Sequence, residues 1–133
     1  MKRIMLDTNI IISILIFNSK ELDKLFYHVV LDHHLVLSTY IIDELKMVVH
    51  RKFPDKKIAL EEFLKELPFE LCYTPKKIDR TLFEIRDMKD YPILYSAIIE
   101  EVEIFITGDK DFSSVDINKP EILTPRKFLD KYC

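Results

Sequence analysis

The sequence predicts an α/β fold with a central parallel sheet. Three observations carry that expectation. Strand-like and helix-like patterns alternate along the chain. The strand candidates are nearly unbroken apolar runs, as in strands covered on both faces. No internal repeat, low-complexity tract or linker divides the 133 residues, so one domain over 1–133 is expected.

Residues 2–6 read as the first strand. Thr8 or Asn9 can cap a helix from Ile10 to Phe17. Ser19 can cap a second helix that shows Leu22, Leu25, Phe26, Val29 and Val30 on one face. Leu35 to Ser38 is the second strand, and a helix follows from about Thr39 to Arg51. Phe53-Pro54-Asp55 breaks the pattern, and Asp55 can cap the next helix, to about Leu67. Phe69 to Tyr73 is a third strand. Asp79 to Arg86 is expected to be a short helix. Asp90 is expected to cap a helix ending near Glu101, with Pro92 tolerated in its first turn. Residues 103–107 form a fourth strand and 121–124 a short fifth. Pro125 opens a terminal helix.

Hydrophobic residues make up 48% and charged residues 32%, which fits a soluble globular chain. No apolar run approaches the ~20 residues of a membrane span, and no signal-peptide pattern follows the first strand. Cys72 and Cys133 lack metal-type spacing, so a reducing, cytoplasmic location is expected. The net charge of −3 does not advertise nucleic-acid binding, but bound cations would offset clustered acids. Gly108 is the only glycine. A P-loop or dinucleotide fold therefore lacks its Gly-rich phosphate loop. Gly108 itself falls where a strand is expected to turn sharply.

Four acids stand where an acid is hard to justify structurally. Asp7 ends the first strand, and Thr8 or Asn9 could supply the cap in its place. Glu44 falls in the apolar stripe of Ile41, Leu45, Val48 and Val49, whereas Asp43 groups with Lys46 and His50 on the polar face. A carboxylate on that stripe must meet a cation, a proton or a cleft. Asp90 opens a helix, with Asp87 before it as a turn residue or a partner for Arg86. Asp109 follows a strand and Gly108, and is better placed than Asp111 to face a cleft. Carboxyl ends of parallel strands share one sheet edge, where ligands of open α/β sheets bind. Acids gathered there repel one another unless protons or cations intervene. Divalent metal is the economical answer, and metal-assisted phosphodiester hydrolysis the economical chemistry. The four histidines form no zinc pattern, and no serine has a nucleophile-elbow context.

Leu6-Asp7-Thr8-Asn9-Ile10, Leu37-Ser38 with Glu44-Leu45, Asp90-x-x-Ile93-Leu94-x-x-Ala97 and Ile106-Thr107-Gly108-Asp109-Lys110-Asp111-Phe112, in that order, resemble the PIN-domain nucleases. Within that family the chain is most similar to VapC-like toxins of prokaryotic toxin–antitoxin pairs. The resemblance implies an α/β/α sandwich and a Mg²⁺- or Mn²⁺-dependent ribonuclease. It maps the metal-site acids onto Asp7, Glu44, Asp90 and Asp109. Supporting polar residues map onto Asn9, Thr107 and Ser38, and Asp111 matches a less constant acid. Lys46, Arg51, Lys52 and Lys110 are candidates for holding the RNA backbone.

Two other readings stand beside it. A phosphoacceptor receiver domain is also small and α/β, but it wants an acceptor Asp at a middle strand end, where this chain has Leu37-Ser38. A catalytically inactive PIN domain would bind RNA or protein without cutting. A haloacid-dehalogenase-type phosphatase lacks its second Asp in Asp7-Thr8-Asn9. A homodimer is expected because Ile10 to Phe17 and Ile93 to Ile99 carry more apolar residues than one buried stripe needs. The resemblance also implies an antitoxin partner, with an arginine reaching the carboxylates.

Overall fold

Five strands form one parallel sheet in the computed structural model, which describes residues 1–133. They are β1 (Arg3–Leu6), β2 (His34–Ser38), β3 (Glu70–Cys72), β4 (Ile104–Ile106) and β5 (Glu121–Leu123), in the order β3-β2-β1-β4-β5. Six helices connect and close it: α1 (Thr8–Ile16), α2 (Lys20–Asp32), α3 (Thr39–Lys52), α4 (Lys57–Glu66), α5 (Tyr91–Ile99) and α6 (Pro125–Tyr132). The result is a helix-flanked α/β/α sandwich. The chain steps from β1 to β2 to β3, then returns across both to β4. Right-handed crossovers put the connections of the outward steps on one face and that of the return on the other. The order in which strands are added therefore reverses between β1 and β4. Adjacent strand ends there open a crevice, the usual ligand position in such sheets.

The central strands are apolar throughout because both faces are covered. Ile4, Met5, Leu6, Val36, Leu37, Phe105 and Ile106 are fully buried. Ser19, Ser38 and Thr124 cap α2, α3 and α6 through their side-chain oxygens.

Several local expectations fail for identifiable reasons. Asp7 itself caps α1, which starts at Thr8. Asp55 caps nothing: Pro54–Lys56 is a 3-10 turn, and α4 begins without a side-chain cap. No helix forms over 79–86. The Asp79 carboxylate binds the N–H and hydroxyl of Thr81, a local turn that competes with helix. Phe83 then stacks on Tyr91, with ring centroids 4.1 Å apart, and the Tyr91 hydroxyl donates to the Asp79 carbonyl at 2.6 Å. The segment is thus pinned to α5 by tertiary contacts. α5 ends at Ile99, and Glu101 just beyond it adopts a positive φ of 55°. Most of the apolar surplus of α5 is consumed inside the chain, since Tyr91 to Ala97 are all buried, but Ile98 is half-buried and Ile99 is 48% exposed. Only the last turn of α5 is left for a partner. α1 differs: Ile14, Leu15 and Ile16 are only partly buried, and Phe17 is 56% exposed.

Candidate active site

β1 and β4 lie side by side, with Leu6 opposite Ile106. The residues just past those partners, Asp7 and Thr107, are therefore neighbours at the carboxyl edge. Thr107 donates its hydroxyl to Asp7 Oδ2 at 2.7 Å, and the Thr8 N–H donates to Asp7 Oδ1 at 2.8 Å. The Asp109 N–H donates to Thr107 Oγ1 at 3.0 Å, and the Asp111 N–H to Asp109 Oδ1 at 2.9 Å. A chain of hydrogen bonds thus runs from the end of β1 through the turn after β4.

That turn is anchored from below. Phe112, fully buried, meets Phe105 of β4 edge to face at 5.0 Å. Gly108 needs no special conformation: its φ is not positive, and an added Cβ would meet only the Ile10 side chain at 4.0 Å. The expected glycine turn is instead a 3-10 turn over Lys110–Phe112, capped by Asp109.

Asp90 sits at the mouth of α5, but its side chain caps nothing. Asp87 instead caps the 3-10 turn Met88–Asp90 that leads into α5, accepting from the Lys89 N–H at 3.0 Å. Asp90 is left free to meet Asp109 and Asp111. Oxygens of these three carboxylates lie within 4.8 Å of one another. Glu44 on α3 is half-buried while Asp43 is exposed, as the stripe argument requires. Glu44 enters no ion pair. Its charge acts on both Asp7 and Tyr40.

The electrostatics follow from burial and crowding. Asp7 is 5% exposed, and desolvation pushes its carboxyl up to about 6. The bonds from Thr107 and Thr8 oppose that rise, and the charges of Glu44 and Asp109 add to it. Asp90 is raised to about 7 by desolvation, then by Asp109, Asp87, Asp7 and Asp111. No protein cation pairs with Asp7, Glu44, Asp90 or Asp109. Only Arg86 reaches an acid of this group, Asp111, at 3.7 Å. The alternative of an Arg86–Asp87 pair is thereby replaced.

The residues fit a hard divalent cation. The donors are carboxylate oxygens, which Mg²⁺ and Mn²⁺ prefer. The negative charge is uncompensated by the protein, and the Thr8 hydroxyl, buried beside Asp7, has no partner. The other expected residues divide. Thr107 joins the cluster directly. Ser38 is fully buried, and its hydroxyl accepts from the Ile41 N–H at 3.2 Å, so it holds α3 in place. Asn9 is exposed on the first turn of α1. Lys46, Arg51, Lys52 and Lys110 are all exposed.

Sequence reasoning missed the polar frame between α3 and α5. The Tyr40 hydroxyl donates to the Lys89 carbonyl at 3.1 Å, tying the helix of Glu44 to the turn of Asp90. Thr74 accepts from the Tyr40 N–H at 3.3 Å and from the buried Ser96 hydroxyl at 2.9 Å. Isolated Tyr, Thr and Ser residues carry no motif, and only long-range packing brings them together.

A PIN-domain family model matches residues 3–111. The chain belongs to the PIN-domain family. Two solved structures share the PIN fold. VapBC2 from Rickettsia felis, bound to a DNA fragment from its promoter, matches with a TM-score of 0.69 at 17% identity, over 91% of this chain and 96% of that one. FitAcB from Neisseria gonorrhoeae matches with a TM-score of 0.66 at 18% identity, over 92% of this chain and 98% of that one. No curated protein sequence matches this PIN chain. None of its helices is long and apolar enough to cross a membrane.

Proposed function

We propose that this PIN domain, acting as one unit over 1–133, is a metal-dependent endoribonuclease and the toxin half of a toxin–antitoxin pair. One observation carries the reading. In a PIN-family chain, Asp90, Asp109 and Asp111 bring oxygens within 4.8 Å of one another, Glu44 and Asp109 act on Asp7 through their charge and Asp7 on Asp90, and no protein cation pairs with Asp7, Glu44, Asp90 or Asp109.

Asp7 and Asp109 would be the central metal ligands, with Glu44 and Asp90 completing the site or orienting water. A bound Mg²⁺ or Mn²⁺ supplies Lewis acidity and a nucleophile at neutral pH. Thr107 fixes the direction of the Asp7 carboxylate and, through its link to the Asp109 N–H, the start of the acidic turn. Asp90, raised to about 7 by burial and the neighbouring acids in the metal-free protein, would be held ionised by a bound cation. Asp111 supports the turn and is held by Arg86. Lys46, Arg51, Lys52 and Lys110 contribute to binding the RNA backbone. The receiver-domain reading has no support from the family match, and an inactive PIN domain would not need so complete a set of acids.

The toxin reading draws on the fold shared with VapBC2 and FitAcB. An antitoxin would block the site by covering the acids, with an arginine as the natural counter-charge. Self-association through the partly exposed end of α1 is proposed, as is a cytoplasmic location. The test is RNA cleavage with Mg²⁺ or Mn²⁺, in EDTA, and by Asp7→Asn. Cleavage that persists in EDTA, or in Asp7→Asn at the wild-type rate, would overturn the metal-site reading.

A further inference from the structure

One cation reaches the acidic site, and its pairing there is incomplete. Arg86 Nη1 lies 3.7 Å from Asp111 Oδ1, and an Asp111 oxygen lies within 4.8 Å of oxygens of Asp90 and Asp109. The guanidinium therefore stands at the rim of the acid cluster, one carboxylate away from Asp90 and Asp109. Its contact with Asp111 is too long for a hydrogen bond. The arginine side-chain hydrogen bonds of the protein belong to Arg3 and Arg126, which leaves every N–H donor of the Arg86 head free. The side chain is 86% exposed, and so loose a pair adds little to stability. The backbone beneath it is fixed, in contrast. Phe83 is buried against Tyr91, Ile85 packs on the core, and the Leu82 N–H donates to the Tyr91 hydroxyl at 3.3 Å. On the other side Asp87 caps the turn Met88–Asp90, whose Lys89 carbonyl is held by Tyr40. A cationic head with free donors thus springs from a segment held at both ends, just before Asp90. Open space lies beside it. Glu84, Ile85, Arg86 and Ser114 line a hollow of about 340 Å³, and the Ser114 hydroxyl donates to the Asp111 carbonyl at 3.2 Å. The hollow and the acid cluster therefore meet at the Arg86–Asp111 pair.

We propose that Arg86 is a catalytic residue: its guanidinium grips the non-bridging oxygens of the scissile phosphodiester, and Asp111 aims it. This inference rests on the ribonuclease reading. A phosphodiester has to enter a cluster of carboxylates, and negative charge grows on its non-bridging oxygens as water adds to phosphorus. A planar fork of donors fits those oxygens better than an ammonium group does. In the reaction the water oxygen bonds to phosphorus and its proton passes to solvent. The bond from phosphorus to the 3′-oxygen breaks, and that oxygen leaves with the electron pair and takes a proton from solvent. Arg86 transfers no proton; it stabilises the charge on the phosphoryl oxygens. The rival role for Arg86 is a plain tether of Asp111.

The test compares wild type, Arg86→Gln, Arg86→Lys and Arg80→Gln in the full chain. For cleavage of an oligoribonucleotide in Mn²⁺, Arg86→Gln should lower kcat about 100-fold or more with a smaller change in KM, and Arg86→Lys should recover part of the loss. Arg80, over the Tyr91 ring, lies on the same segment, and Arg80→Gln removes the same charge. Its kcat should stay within about twofold of wild type. Mn²⁺ binding to the RNA-free chain, followed by calorimetry, should be unchanged or tighter in Arg86→Gln, because a cation has left the rim of the site. A tether gives the opposite sign, weaker Mn²⁺ binding in step with slower cleavage, and that result would overturn the proposal. So would a wild-type kcat in Arg86→Gln. Inorganic phosphate should raise the melting temperature of the Mn²⁺-loaded wild type more than that of Mn²⁺-loaded Arg86→Gln. Absence of any RNA cleavage by wild type would overturn the ribonuclease reading, and the phosphate response would still judge Arg86: equal shifts in the two proteins would overturn its grip on phosphate.

Discussion

The Thr107 hydroxyl links two acids of the site: it donates to Asp7 Oδ2 at 2.7 Å and accepts from the backbone N–H of Asp109 at 3.0 Å. Thr107 is itself buried, so neither bond is exchanged easily for water. Thr107→Val keeps the shape but loses both bonds. It should lower metal affinity or cleavage rate 10- to 100-fold, the usual cost of losing a group that orients a ligand. Thr107→Ser should restore most of the loss. Equal rates and metal responses in wild type and the Val variant would remove Thr107 from the account.

The raised carboxyls of Asp7 and Asp90 fix a sign for the pH dependence of the metal-free protein. Both prefer the protonated form in the fold, at about 6 and about 7. Their contribution to stability is full below the ordinary carboxylate range and is lost as pH rises through 6 to 7. For Asp7 the loss is on the order of 3 kcal/mol at most. Metal-free melting temperature should therefore fall between pH 5.5 and 8. Asp7→Asn should raise it at pH 8. Added Mg²⁺ or Mn²⁺ should stabilise wild type more at pH 8 than at pH 5.5, because protons no longer compete. Differential scanning fluorimetry at the two pH values decides it, and a metal response larger at pH 5.5 would contradict it.

Asp43 and Glu44 are adjacent on α3 but differ in burial. Glu44→Gln should cut cleavage by tenfold or more, and Asp43→Asn should leave it within about twofold, because an exposed charge interacts weakly through water. Comparable losses from both changes would mean that the two acids act only through net charge.

Self-association rests on less surface than the sequence suggests. With Tyr91 to Ala97 buried, what remains is the end of α1, led by Phe17, and the last turn of α5, led by Ile99. Light scattering should give a dimer mass at micromolar concentration, and Phe17→Asp should shift it toward monomer. A monomer mass across a wide concentration range would end the dimer proposal without touching the nuclease one.

The strands and most helices were legible in the sequence because burial on both sheet faces leaves nearly pure apolar runs, as in Ile4 to Leu6 and Ile104 to Ile106. Glu44 was legible because a charge on an apolar stripe violates a period. The misses have a common cause. Whether Asp79 starts a helix depends on Phe83 finding Tyr91, and which acid caps near α5 depends on the turn at Asp87. Gly108 looked like an obligatory turn residue, but the backbone there needs no positive φ. Tyr40, Thr74 and Ser96 meet across 22 to 56 residues of sequence, beyond the reach of any local pattern.

The central claim is that the acids at the β1–β4 edge direct water onto a phosphodiester of RNA. The most direct measurement is end-group analysis of an RNA cut by the purified chain in Mn²⁺ or Mg²⁺, beside Asp7→Asn and an EDTA control. The account predicts 5′-phosphate and 3′-hydroxyl ends, absent from both controls. A 2′,3′-cyclic phosphate, which arises when the RNA's own 2′-hydroxyl attacks, would contradict it.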